Sequence, residues 1–105
     1  MIPKKINILS IEYVVEVVSR ESGEGATMRG SGTVGRVDFM SRRIILLDGD
    51  QPMDVLQSLI HEMVHAMLDA IGMHGDFSEQ QVHTFAACFT DTLIRNGMVK
   101  TEVAP

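Results

Sequence analysis

Residues 43–68 read RIILLDGDQPMDVLQSLIHEMVHAML, and the spacing of their apolar residues changes partway through. Residues 44–47 are branched and apolar within a strand signal at 43–48, and DGD then supplies a turn. From Pro52 onward Leu56, Ile60, Met63, Val64, Met67 and Ile71 recur three or four residues apart. That spacing predicts a helix with this stripe turned inward. Asp50 or Gln51 is placed to cap the helix, Pro52 suits a first turn whose N–H has no partner anyway, and Gly72 is placed to end it.

Upstream, 33–39 pairs with 43–48 as a predicted hairpin joined at MSRR. Residues 20–32, RESGEGATMRGSG, hold four glycines among polar residues and read as a flexible loop. INILSIEYVVEVVS at 6–19 is rich in Ile and Val and reads as a strand with a bend or break midway, Glu12 and Glu16 falling on the face of Ile6, Ile8 and Ser10. Downstream, Ser78 and Gln81 form the S-x-x-Q capping box of a second helix, flanked by Phe77 and Val82 as a hydrophobic staple. Its expected core stripe is Val82, Phe85, Ala86, Phe89 and Leu93, and Asn96-Gly97 stops it. Strands come first and helices last, so the expected fold is a small α+β domain spanning 1–105, with about three strands and two packed helices.

Composition narrows the function. A hydrophobic fraction of 45% and a charged fraction of 22% are ordinary for a globular chain. The net charge of -5 argues against nucleic acid as partner, because phosphate binding draws on clustered Lys and Arg. No apolar run approaches the length of a membrane span. The one cysteine, Cys88, cannot form an internal disulfide and is expected to be a small buried hydrophobe. The start, MIPKKINILSIEYVVEVV, has a positive end and an apolar run, but Glu12 and Glu16 interrupt it and no small-residue cleavage site follows. A cytoplasmic protein is therefore expected.

The chemistry lies in the helix after Pro52. His61-Glu62-Met63-Val64-His65 is an H-E-x-x-H sequence, and it uses two of the chain's four histidines. Positions i and i+4 of a helix lie one above the other, so both imidazoles can face one ion. Glu62 projects about 100° from His61, within reach of a water polarised by that ion without being a ligand itself. The competing reading is two core histidines beside a surface glutamate. A catalytic zinc takes a third protein ligand. Glu79, in the first turn of the next helix, is the first choice, since an antiparallel helix would bring it back toward His61 and His65. His83, one turn on, can be the ligand instead, a partner to a ligand, or a hydrogen-bond donor to developing negative charge. His74 does not match the spacing of a third histidine ligand and is expected to be an exposed loop residue, and Asp69 can either orient His65 or stand in solvent.

LIHEMVHAMLDAIGMH followed by SEQQVHTFAACFTDTLIRNGMV resembles the small zincin-like metallopeptidases of phages and prophages, distant relatives of the ImmA/IrrE family. The resemblance covers about residues 33–99. It implies zinc as cofactor, Glu79 as the third ligand through its position three residues before VHTFAA, and a phage or host regulatory protein as substrate. His83 stands where the wider family tends to have Asn, and MHGDF lengthens the link between the helices. HEMVHA with HGDF is also similar to the SprT-like proteases, but that histidine segment is one residue short and the chain lacks their basic part.

The expected function is thus a zinc-dependent metallopeptidase with His61, His65 and Glu79 on Zn²⁺, Glu62 as general base, His83 assisting, and a protein or peptide as substrate. The alternative is a catalytically idle, zinc-stabilised protein-binding module. Glu62→Gln separates the two, abolishing hydrolysis in the first and changing nothing functional in the second.

Overall fold

A computed structural model describes residues 2–49 and 51–99. Among these residues four strands and three helices, two of them long, make up the fold: β1 (Lys5–Ile8), β2 (Ile11–Val18), α1 (Gly23–Gly30), β3 (Gly35–Asp38), β4 (Arg43–Leu47), α2 (Pro52–Ala70) and α3 (Glu79–Arg95), with a 3-10 turn at His74–Asp76. The α+β class and the order of strands before the long helices agree with the sequence. There is one more strand and one more helix than expected.

Both additions have local causes. The stretch 6–19 is broken into β1 and β2 by a two-residue turn, Ile8 facing Ile11 across an antiparallel pair. Leu9 and Ser10 both take positive φ, 49° and 75°, the conformation that matches a tight turn to the twist of its strands. The stretch 20–32 is not a flexible loop, because α1 occupies its centre. Ser22 caps α1 by accepting a hydrogen bond from the Gly25 amide at 2.9 Å. Gly25 is required there, since a Cβ would stand 1.8 Å from the Ser19 carbonyl oxygen. The glycines that made the segment look flexible include the one that lets the helix sit against β2.

The sheet order is β1-β2-β4-β3, with β2 and β4 parallel and both outer pairs antiparallel. α1 lies in the crossover from β2 to the β3–β4 hairpin. As an inner strand, β4 is covered on both faces, which is why its residues 44–47, IILL, are continuously apolar rather than alternating. Ile44 and Leu46 join Ile8, Tyr13 and Val15 under Val55, Leu59 and Ala66 of α2. Ile45 and Leu47 pack on the other face with Met28 of α1.

The helices begin and end near the expected points. α2 starts at Pro52 with Gln51 as N-cap, though the Gln51 side chain makes no capping bond. Asp50, the other expected cap, lies outside the described residues. Gly72, with φ of 75°, follows its end. The capping box of α3 is formed: the Ser78 hydroxyl accepts from the Gln81 amide at 3.1 Å, and the Gln81 side chain accepts from the Ser78 amide at 2.8 Å.

The faces they bury differ from the expectation. Of the stripe Leu56, Ile60, Met63, Val64, Met67 and Ile71, only Ile60 and Val64 are fully buried, while Met67 and Ile71 are exposed. The sheet takes the face about a third of a turn away, Val55, Leu59, Glu62 and Ala66. In α3 the buried residues are Val82, Ala86 and Thr90, whose hydroxyl donates to the Ala86 carbonyl at 2.7 Å. Phe85 and Phe89 are exposed, and so is Cys88, contrary to its expected burial. α3 packs chiefly on α2, so only a narrow stripe of it is covered. No described helix is long and apolar enough to cross a membrane.

Candidate metal centre

His61 and His65 leave the same side of α2, one turn apart, with their Nε2 atoms 3.2 Å from each other. α3 returns so that its first residue faces them. Glu79 Oε1 lies 2.6 Å from His61 Nε2 and 3.1 Å from His65 Nε2. The Ser78–Gln81 capping box fixes the direction from which Glu79 enters, so a helix-start signal in the sequence also positions a candidate ligand.

The three donor atoms suit a metal ion by distance as well as by type. A triangle with edges of 2.6, 3.1 and 3.2 Å has a circumradius of about 1.7 Å, shorter than the roughly 2.0–2.1 Å of a zinc bond to imidazole nitrogen or carboxylate oxygen. A point therefore exists at bond length from all three. Two histidines and one glutamate are also a donor set of catalytic zinc sites. His61, Glu79 and His65 are the group among the described residues that could hold a metal ion.

Electrostatics suits the same role. Burial pushes the His61 imidazole below its ordinary range, against the opposing pull of Glu79, so it is held neutral and able to donate a lone pair. Burial pushes the Glu79 carboxyl up, but hydrogen bonds to His65 and His61 together outweigh this and hold it below the usual carboxylate range. It is ionised at neutral pH.

Glu62 is only 6% exposed. Burial, and secondarily the negative charge of Glu79, push its carboxyl up to about 7. It is not the surface glutamate of the core-histidine reading. Room for it comes from Gly35 in β3, where a Cβ would stand 3.3 Å from Glu62 Oε2 and 3.4 Å from its Cγ. Sequence reading passed over Gly35. The signal was an isolated glycine within a strand, which marks close approach by another group.

The remaining histidines extend the cluster into a row. The His83 ring lies 5.8 Å from that of His61. The His74 ring lies 5.2 Å from that of His65 and meets Phe39 edge-on at 5.2 Å. Neither belongs to the converging three. His74 is exposed, as expected, yet adjacent to the site. Asp69 is exposed and does not orient His65, whose buried Nδ1 has no hydrogen-bond partner among the described residues.

An open cleft of about 740 Å³ runs from His61, Glu62, Glu79 and His83 along the start of β3 to Asp48 and Asp54. Arg20 also lines it, a cation that the sequence alone gave no reason to place there. β3 is the outermost strand on this side of the sheet. No protein-family model, curated protein or solved structure matches the chain, so the site stands on its own residues and geometry.

Proposed function

We propose that the protein is a zinc-dependent metallopeptidase, a reading carried by one observation: the convergence of His61, His65 and Glu79 beside the buried carboxyl of Glu62. His61 and His65 through Nε2, and Glu79 through Oε1, would hold the ion. When bound, zinc supplies Lewis acidity that polarises a carbonyl and lowers the pKa of water.

The chain's own groups do the rest. Glu62 takes a proton from the attacking water at its carboxylate and returns it to the leaving amine, and a carboxyl raised toward neutrality is suited to doing both. His83, in the same cleft with its ring 5.8 Å from that of His61, would donate a hydrogen bond to the oxygen that becomes negative as the carbonyl is attacked. The edge of β3 offers unpaired backbone groups beside the site, which suits an extended peptide added as a further strand. A minimal zincin-like arrangement, with H-E-x-x-H on α2, follows from the same assignment.

The test is hydrolysis of a mixed peptide pool by the zinc-loaded protein, read by mass spectrometry, with Glu62→Gln alongside. The reading requires cleavage by wild type, loss of at least two orders of magnitude in Glu62→Gln with zinc content unchanged, and suppression by a chelator. Zinc binding with no cleavage by either protein would leave a zinc-stabilised binding module instead.

A further inference from the structure

α2 has three sides with different surroundings. Val55, Leu59 and Ala66 face the sheet, and His61 lines the cleft, with His65 one turn along on the same side. The third side carries Met53, Leu56, Ile60, Met63, Met67 and Ile71, spaced three and four residues apart like the seam of a helix meant to pack on another. Ile60 alone of these is fully buried; Met53 is 45%, Met67 36% and Ile71 54% exposed.

α3 continues this face. Around the axis of α3, His83 lies beyond the Thr90 edge of the buried stripe Val82, Ala86 and Thr90, toward His61, and Glu79 falls near that same edge. Phe85 and Phe89 lie on the other side, at 100° per residue. Since α3 runs back antiparallel along α2, that other side adjoins the Met53-to-Ile71 seam. The two Phe rings stack at 5.8 Å and 15°, yet are 56% and 42% exposed.

We propose that this face is a self-association interface, through which two copies of the chain pair about a twofold axis with Phe85, Phe89 and the α2 seam buried between them. Two arguments select a second copy as the occupant. The first is area. The five exposed side chains, at about 200 Å² each when free, leave on the order of 450 Å² of apolar surface uncovered. A standard dimer buries about 800 Å² per partner, roughly 65% of it apolar, which comes to about 500 Å². The second is charge. The chain carries -5 overall, but none of the seam residues is charged, and neither is any residue from Gln80 to Thr90 apart from the titratable His83. The face can therefore meet its own copy without opposing like charges, whereas recognition of a charged partner would leave a complementary charge upon it. A twofold pairing on this side leaves both clefts open, because His61 and His65 point away from it.

Sedimentation equilibrium of the full chain across the micromolar range tests this, with circular dichroism confirming the fold of each variant. The expected mass is twice 11.6 kDa. The double variant Phe85→Ser/Phe89→Ser and, separately, Met67→Lys should each raise the dissociation constant by roughly two orders of magnitude. Met40→Lys, at an exposed methionine in the β3–β4 turn, should remain dimeric. If the double variant does not fold, Met67→Lys decides the matter alone. A wild-type chain monomeric throughout, or a dimer undiminished in the folded variants, overturns the proposal.

Discussion

Replacing Glu62 by Gln should stabilise the metal-stripped protein, and by an amount that depends on pH. Burial raises the Glu62 carboxyl from 4.5 to about 7. In the unfolded chain the group ionises near its ordinary value, whereas in the folded chain it stays protonated to higher pH. The sign follows: its favourable contribution is complete below the unfolded pKa and is lost as pH rises through the folded one. A shift of 2.5 units, at 1.36 kcal/mol per unit, corresponds to about 3 kcal/mol above pH 7. At pH 5 most of that cost has yet to develop, and only about 1 kcal/mol of it is present. Gln is nearly isosteric and carries no charge, so its folding does not incur the cost. Urea unfolding of both proteins in a chelator, at pH 5 and pH 8, should show the stability gap widening by about 2 kcal/mol in favour of Glu62→Gln. A gap that does not change with pH, or a variant less stable than wild type at pH 8, would refute the burial argument. The same substitution is expected to abolish hydrolysis, so stability and activity should move in opposite directions at this position.

Two substitutions probe the glycines that shape the site and its support. Gly35→Ala should leave the fold intact at a cost of about 1 kcal/mol while sharply lowering the proposed peptidase activity, because the new methyl presses on the Glu62 carboxylate; activity equal to that of wild type would show that Glu62 needs no such room. Gly25→Ala should cost about 2 kcal/mol or more, lowering the melting temperature by roughly 10 °C, because α1 must lift from the Ser19 carbonyl. An unchanged thermal midpoint would contradict that packing.

Much of this architecture can be read from residues that carry a local signal. Pro52 and Gly72 bracket α2, and Ser78 with Gln81 starts α3, because caps and turns are decided within a few residues of chain. The pairing of His61 with His65 follows from helix geometry alone, and the approach of Glu79 from a short antiparallel return. What escaped the sequence depended on neighbours distant along the chain. Gly25 is the exception: the Ser19 carbonyl that excludes a Cβ is only six residues back, and the glycines around it read as flexibility. The α2 seam from Leu56 to Ile71 looked like the core because its spacing is sound. Val55, Leu59 and Ala66 won the sheet instead, being the side on which Glu62 can also reach Gly35. Phe85 and Phe89 fall by spacing on the expected core stripe, yet α3 packs on α2 through the smaller Val82, Ala86 and Thr90. The leftover seam and the stacked Phe pair are the same misreading seen on two helices, and together they form the surface proposed for self-association.

Metal content by elemental analysis, after loading with zinc and desalting, tests the central assignment most directly. Wild type, Glu79→Ala, His83→Ala and His74→Ala would be compared. The account predicts about one zinc per chain in wild type, its loss in Glu79→Ala, and its retention in His83→Ala and His74→Ala. Zinc held equally well by Glu79→Ala, or a wild-type protein that takes up none, would contradict it.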